Sequence, residues 1–589
     1  MVNQLSWKVG GQQGEGIDST GEIFAKALNR MGYYLYSYRH FSSRIKGGHT
    51  NNKIRVSTNE IRTVTNDLDL LVAFDQETID INAHELNDNG LILADAKFKP
   101  SKSEDIVASL VSIPFTEIAT ELGTSLMKNM VAIGASSAVL GLDISIYKEV
   151  IEETFLKKGQ PIVDKNMGAI RAGYEFLTKE ASEQANKLHI KEADGKKRMF
   201  MIGNDAIALG ALAAGSRFMP AYPITPASEI MEYLIEKLPE FGGTVIQTED
   251  EIAAVTMAIG ANYAGVRAFT ASAGPGLSLM MESIGLSGMT ETPLVVIDTQ
   301  RGGPSTGLPT KQEQSDLMQM IYGTHGEIPK IVLAPSTAEE AFYDTIQAFN
   351  LAEEYQCPVI LLSDLQLSLS KQTVEKFDHS KININRGKLK MDESLPALEN
   401  KDYFKRYELT KDGISPRVFP GTKNGIHHVT GVEHDETGKP SEAAENRKHQ
   451  MEKRLRKLNN VTQRFDKPIH FSLHDEEADV LLIGFNSTRG AIEEAIAELR
   501  EDGIKTNHAH IRLLHPFPTK VLQPIIDRSK RVVVVENNGT GQHANVIKMN
   551  VGALEKIESI LKYDGNPFLP NDLYTKVKEL FLVGNLQRF

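Results

Sequence analysis

One cysteine, Cys357, stands in a chain of 589 residues. A lone thiol excludes a disulfide framework and fits a reducing cytosol. It also excludes a four-cysteine iron–sulfur cluster held by this chain alone. Long apolar runs are missing as well. The stretch from Val131 to Leu142 is interrupted by Gly134, Ser136 and Ser137 and falls short of the ~18 residues that suggest a membrane span. Met1-Val2-Asn3-Gln4-Leu5-Ser6-Trp7-Lys8 does not have the charged-then-apolar pattern of a signal peptide. Nor is there an excess of positive charge: the net charge is −12, which argues against the basic face of a nucleic-acid binder. A small anionic substrate at a locally positive site stays compatible with that balance. These absences lead us to expect a cytoplasmic protein with no membrane and no nucleic-acid partner.

The length is too great for one core and predicts roughly three or four domains. Residues 1–188 alternate strand-like and helix-like runs: Trp7 to Gly16 as strand, Gly-rich turn and helix start, Ile17 to Leu28 as helix, then apolar runs at Leu68 to Phe74 and Gly90 to Ala94. Residues 189–197 are a charged linker. Residues 198–367 carry a second set, with helices at Asp205 to Gly215, Pro226 to Leu238 and Glu251 to Ala264. Its strands are Val266 to Thr270, Leu294 to Asp298 and Pro358 to Leu362. The pattern weakens over 368–470, an extended connection ending in a charged helix, Ser441 to Leu458. Residues 471–589 form a third, smaller set. Strands alternating with helices predict an α/β protein of several parallel-sheet domains.

The most informative motif is Tyr222-Pro223-Ile224-Thr225-Pro226. Two prolines fix their own φ angles and press the preceding residues toward extended backbone, so the corner presents Thr225 as a fixed hydroxyl. It reads either as a rigid turn whose Thr225 or Ser228 caps the next helix, or as the wall of a ligand site at a helix N-terminus. Glu249, Asp250 and Glu251 open another helix, where acidic residues favour the macrodipole. Glu251 differs because Ile252-Ala253-Ala254 makes that helix apolar at once, and a carboxylate at the edge of an apolar face needs a partner. Ser272-Ala273-Gly274-Pro275-Gly276 and Gln300-Arg301-Gly302-Gly303 leave strand ends, where ligands collect in open α/β sheets. Arg301 there is suited to a bidentate grip on a carboxylate, or is a surface or interface arginine.

Other motifs carry less. Gly10-Gly11-Gln12-Gln13-Gly14-Glu15-Gly16 does not match G-x-G-x-x-G, so neither nicotinamide nor flavin binding follows. Ser43-Arg44-Ile45-Lys46-Gly47-Gly48-His49 is a basic loop suited to a phosphate or carboxylate, or a solvated turn. His427, His428, Glu433, His434 and Asp435 match no metal-ligand spacing, and no metal site is expected on this chain.

Taken together these residues resemble the α subunit of a 2-oxoacid:ferredoxin oxidoreductase over nearly the whole chain. Tyr222 to Pro226 matches that family's Y-P-I-T-P motif, and Gln300 to Gly307 matches a second segment. Thr430 to Glu436 resembles the connection of 2-oxoglutarate members, and Leu513-Leu514-His515-Pro516-Phe517-Pro518 a transketolase-C-like domain. The resemblance implies a γ-like domain over 1–188, a thiamine pyrimidine-binding-type domain over 198–367, and a transketolase-C-like domain over 471–589. It implies thiamine diphosphate, coenzyme A, ferredoxin and a 2-oxoacid, most like 2-oxoglutarate. By the same resemblance Glu251 hydrogen-bonds the aminopyrimidine, and Tyr222, Pro223, Ile224, Thr225 and Pro226 line the cofactor site. Thr225 and Arg301 hold the substrate, and Arg44 or Lys46 reach toward substrate or coenzyme A. The Gly-rich loop departs from the commoner G-x-G-G-Q-G. No Gly-Asp-Gly followed by paired asparagines occurs in the chain. Magnesium and the cluster are therefore expected on a β subunit, in an (αβ)2 heterotetramer. Pyruvate or a branched 2-oxoacid as substrate, a transketolase-like non-redox enzyme and a non-catalytic assembly protein are the alternatives.

Overall fold

The computed structural model describes residues 1–41, 47–391, 395–397 and 402–586, with side chains to 582. The chain divides into two compact units. The first holds Met1–Met201, Leu369–Lys376 and Leu569–Asp572; the second holds Ile202–Ser368, Phe377–Phe568 and the residues from 573 on.

The first unit is built on an eight-stranded mixed sheet. On one side Gln4–Gln12, Leu68–Ala73, Leu86–Asp95 and Ser109–Ile113 run parallel, as the alternating pattern predicts. The other side is antiparallel, a departure from the parallel reading: His49–Ser57 pairs with Gln4–Gln12 and with Tyr34–His40, and Gln372–Val374 lies between Tyr34–His40 and Met199–Met201. Hydropathy could not reveal His49–Ser57, because it buries Thr50, Asn51, Asn52, Lys53 and Arg55. Its register sets Lys53 directly opposite Lys8, a repulsive pair unless neutralised. Glu85 bridges the two amines and accepts from Lys53 Nζ at 2.9 Å. Burial nevertheless pushes the Lys8 ammonium down to about 8.

Val131 to Ser137, strand-like by composition, lies in the helix Lys128–Leu140. Small residues there allow backbone contact with the helix Gln160–Glu180. A Cβ at Gly134 would lie 1.8 Å from Ile170 O, and one at Gly173 would lie 1.9 Å from Val131 O. Trp7, the single tryptophan, stacks on Phe24 with ring centroids 4.3 Å apart and donates Nε1–H to Ser136.

The second unit carries two five-stranded sheets. Phe269–Ser272, Leu294–Gln300, Pro358–Asp364 and Ile331–Leu333 are parallel. So are Thr506–Ile511, Ala478–Gly484, Ser529–Glu536 and Ile557–Leu561. The short strand Leu513–His515 follows Thr506–Ile511 in the chain yet adds antiparallel to Ile331–Leu333 of the other sheet. One apolar core therefore runs through both, from Val255 and Val296 to Leu481 and Val534. Among the described residues, no helix is long and apolar enough to cross a membrane.

The connection from Phe377 to Pro468 is held down by buried charge. Glu291, fully buried, takes Lys453 Nζ at 2.6 Å on one carboxylate oxygen and Lys457 Nζ at 2.5 Å on the other. Both lysines come from the charged segment around the helix Ala444–Arg456. Lys453 also donates to Ser415 Oγ and Lys457 to Gln356 O. Burial alone would raise the Glu291 carboxyl, but the Lys453, Lys457 and Arg406 charges outweigh it and hold it well below the usual range. Glu353 is a second anchor, with Arg386, Arg417 and Arg267 around its carboxylate.

Removing one member of such a cluster strands the others. Glu291→Gln leaves two buried ammonium groups without a counter-charge, and we expect it to lower the urea unfolding midpoint of the second unit by the equivalent of ~3–5 kcal/mol. Denaturation followed by far-UV circular dichroism measures this, and an unchanged midpoint contradicts the anchoring role.

Candidate active site

The Tyr222–Pro226 corner follows the strand Phe218–Ala221, and its Thr225–Pro226 peptide is cis. The next helix, Ser228–Lys237, begins at Ala227 with no side-chain cap. The capping role expected of Thr225 or Ser228 is therefore not filled. Two outside groups hold the corner instead. Asn204 donates to Pro226 O at 2.6 Å, and the Arg301 guanidinium donates to Thr225 O at 2.5 Å. The Thr225 hydroxyl makes no hydrogen bond among the described residues.

Glu251 is the first residue of the helix Glu251–Tyr263, and Asp250 is its cap, accepting from Ala253 N at 2.7 Å. Capping is thus done by the neighbour, and Glu251, 7% exposed, is left for other use. No described residue donates a hydrogen bond to its carboxylate, and neither oxygen is among the fully enclosed, unpartnered polar atoms. Glycine lets the chain pack tightly against it. A Cβ at Gly276 would lie 2.1 Å from Ser272 Oγ and 2.7 Å from Glu251 Oε1. The start of the helix Gly274–Met289 is thereby held close to Ser272 at the strand end and to Glu251.

Arg301 follows the strand Leu294–Gln300 and is 7% exposed, so it is no surface arginine. Its Nε is buried without a partner. Gly303 to Leu308, the rest of that motif, is exposed apart from the fold-back of Leu308 onto Gly302.

Sequence reasoning missed two acids. Asp298 lies beside Ser272 in the parallel register, fully buried, with neither carboxylate oxygen hydrogen-bonded. Asp316 faces Gly274, where a Cβ would meet both its oxygens at 2.8 Å, and its Oδ2 has no partner. Burial, and then the Asp316 charge, pushes the Asp298 carboxyl well above its ordinary value. Burial and Glu313 raise Asp316 to about 6, with Arg301 opposing. The available signal was a carboxylate ending an apolar strand, Leu294-Val295-Val296-Ile297-Asp298. Thr270, Ser272 and Thr299 also carry buried hydroxyls without partners. The structure thus brings Glu251, Thr225 and Arg301 to one end of a parallel sheet, with an unusual density of unsatisfied polar atoms. A carboxylate there can hold a proton on a ring nitrogen, and a guanidinium can grip a carboxylate.

The remaining candidates fall elsewhere. Arg44 and Lys46 lie outside the described residues. Glu433 is spent on Arg454 and Arg447, and the His427 and His434 rings each lie within hydrogen-bonding distance of a backbone carbonyl. Among the described residues, no group of three or more His, Cys, Asp or Glu is placed to hold a metal. In the first unit, the turn Gly14-Glu15-Gly16 borders a cavity of about 490 Å³ together with Asn129, Lys158 and Lys165. Asn129 Oδ1 is buried there without a partner.

Comparison with known proteins adds a consistent picture. Residues 209–453 match the family described as pyruvate flavodoxin/ferredoxin oxidoreductase, thiamine diphosphate-binding. Residues 6–176 match pyruvate ferredoxin/flavodoxin oxidoreductase, and 478–573 match pyruvate:ferredoxin oxidoreductase core domain II. The chain is 35% identical to the 2-oxoacid:ferredoxin oxidoreductase subunit alpha of a Sulfolobus species, over 97% of this chain and 96% of that one. It is 36% identical to the 2-oxoglutarate synthase subunit KorA of Methanothermobacter thermautotrophicus, over 65% of this chain and 98% of the relative. A solved structure, 2-oxoglutarate:ferredoxin oxidoreductase from Magnetococcus marinus with 2-oxoglutarate, coenzyme A and succinyl-CoA bound, is 36% identical. It superposes with a TM-score of 0.92, covering 99% of this chain and 100% of that one.

The close packing at Gly276 yields a test that needs no ligand. Gly276→Ala forces Ser272 and Glu251 apart, and we expect a loss of ~1–3 kcal/mol in unfolding free energy, the usual cost of overpacking. Adding Ser272→Ala should restore part of it. If the single variant is as stable as the parent, the packing there is looser than described.

Proposed function

The chain belongs to the 2-oxoacid:ferredoxin oxidoreductases, as an α-type subunit that depends on thiamine diphosphate, and on that premise we propose that its substrate is 2-oxoglutarate. The reaction would be oxidative decarboxylation to succinyl-CoA and carbon dioxide, with electrons delivered to ferredoxin. What supports the substrate is the extent of the likeness to the Magnetococcus marinus enzyme, with a TM-score of 0.92 across nearly both chains, and the kinship with KorA. The observation that carries the site assignment is the pairing of a buried, unpartnered Glu251 with a buried Arg301 that grips the Thr225 carbonyl.

The residues fit thiamine diphosphate. Glu251 would accept a hydrogen bond from the aminopyrimidine and hold the proton at its ring nitrogen. Tyr222, Pro223, Ile224 and Pro226 would form the wall around it. Bound there, the cofactor supplies carbanion chemistry at the 2-oxo carbon. Arg301 would direct Nε–H and its remaining amino group to the substrate carboxylate, and Thr225 would donate its hydroxyl to the 2-oxo oxygen. Anchoring Arg301 on a backbone carbonyl fixes the fork before substrate arrives, which lowers the ordering cost of binding.

A β-type subunit would provide magnesium, the diphosphate site and the iron–sulfur cluster, in an (αβ)2 assembly. Coenzyme A is the second substrate in this reading. Lys158 and Lys165 at the first-unit cavity are suited to its phosphates and Asn129 Oδ1 to a hydrogen-bond donor of the ligand; Arg44 and Lys46 remain candidates for the same role.

The decisive assay uses the chain purified with its β partner. Reduction of ferredoxin or a viologen dye should require both 2-oxoglutarate and coenzyme A, with pyruvate and 2-oxoisovalerate poorer by kcat/KM. A preference for pyruvate reassigns the substrate, and no activity with any 2-oxoacid removes the reading. Glu251→Gln should cut turnover by ~10²–10⁴-fold, the range of a lost acid–base group; near-normal turnover refutes its role. Lys165→Ala should raise KM for coenzyme A while leaving KM for the 2-oxoacid in place.

A further inference from the structure

Two consecutive carbonyls of the Tyr222–Pro226 corner are gripped by side chains from distant parts of the chain. Thr225 O accepts from the Arg301 guanidinium at 2.5 Å, and Pro226 O accepts from Asn204 Nδ2 at 2.6 Å. Asn204 is fully buried, and its Nδ2 lies 3.4 Å from Glu229 Oε2 in the helix that follows the corner. It is itself firmly seated, as the second residue of the helix Gly203–Ala213. A Cβ at Gly203 would lie 2.2 Å from Leu367 O, and one at Gly210 would lie 2.5 Å from Phe342 O. Close backbone contacts at two points leave that helix no room to slide. Hydrogen bonds on both carbonyls fix the peptide planes on either side of Pro226, and with them the backbone that carries the Thr225 hydroxyl. Asn204 Oδ1 is enclosed without a partner. A leucine of similar shape would avoid that bare oxygen, so packing alone does not call for an amide here.

We propose that Asn204 is a positioning residue: by fixing Pro226 O it holds the Thr225 hydroxyl on the 2-oxo oxygen of the substrate, and it acts on turnover rather than on substrate affinity. The proposal rests on the reading of Thr225 as the donor to that oxygen. The split follows from where charge develops. The substrate carboxylate is already charged when it binds, so its grip by Arg301 contributes to ground state and transition state alike. The 2-oxo oxygen gains negative charge only as its carbon is attacked, so a hydroxyl aimed at it is worth most in the transition state. A corner released at Pro226 O keeps its Arg301 contact and its substrate grip, and loses the aim of the hydroxyl. Turnover therefore falls before affinity does.

The test is a double-mutant cycle in the purified α–β complex, read as carbon dioxide released in a single turnover against 2-oxoacid concentration. Asn204→Leu and Asn204→Ala should each lower the limiting rate ~10–100-fold, the scale of a small misplacement, and move the half-saturating concentration by less than ~3-fold. Leucine keeps the side-chain volume and alanine vacates it, so a variant that fails to assemble with the β partner leaves the other to complete the cycle. Thr225→Val, which removes the hydroxyl, should lower the limiting rate at least as far. In the Thr225→Val background either Asn204 change should cost less than ~2-fold more, because no hydroxyl is left to place. An asparagine that only supports the fold gives the full penalty in both backgrounds or none in either, and each of those results overturns the proposal. So does a raised half-saturating concentration at a parental limiting rate. The two readings fail separately. A parental rate in Thr225→Val removes the role of Thr225, and that of Asn204 with it. A slowed Thr225→Val beside parental Asn204 variants keeps Thr225 in place and removes Asn204 alone.

Discussion

Gln314 is the residue on which the geometry of the second unit turns. Its backbone N–H donates to Asn537 O at 2.7 Å, and its side-chain carbonyl accepts from Asn537 N at 3.0 Å. The side-chain amide donates to Asp364 at 2.8 Å and to Phe485 O at 3.2 Å. One buried amide therefore ties the end of the first sheet to two loops of the second. Ser487 donates to the same Asp364 oxygen, and Gln300 reaches Asn486. A buried polar network of this kind is stable only when its members are satisfied. Because Asp316 is two residues on and Arg301 follows Gln300, the same network fixes where the charged groups of the site stand.

That arrangement sorts the polar groups into two kinds. Glu291, Glu353 and Gln314 have every partner they need and hold segments in place. Both oxygens of Asp298, Asp316 Oδ2 and Arg301 Nε have no such partner. The first kind is architecture. The second gathers around the ends of two parallel strands, Phe269–Ser272 and Leu294–Gln300, where ligands collect in open α/β sheets.

The sequence made part of this visible. Tyr222 to Pro226 and Glu251 were legible because prolines and an acidic helix start leave local marks, and the strands at Leu294 and Pro358 because they are apolar. Ser272 and Asp298 were not, since their meaning depends on parallel register between strands about 26 residues apart. The strand His49–Ser57 was hidden by its polar residues, whose partners are distant in sequence. Gln372–Val374 is only three residues long, too short for any period to register. The role of Ser228 was misjudged because its helix begins at Ala227, after a corner held by Asn204 and Arg301, neither of which is nearby in the chain.

Gln372–Val374 also constrains how the chain can be divided. The strand is contributed after the second unit has begun, and it fills the place between Tyr34–His40 and Met199–Met201. Cutting the chain at the charged linker would take both Gln372–Val374 and Met199–Met201 from the first sheet and leave Tyr34–His40 as an unpaired strand edge, the feature that invites edge-to-edge association. The fusion is thus interlocked rather than serial. An engineered split into separate polypeptides would have to carry residues 369–376 with the amino-terminal piece, or provide a replacement strand, to yield a soluble product.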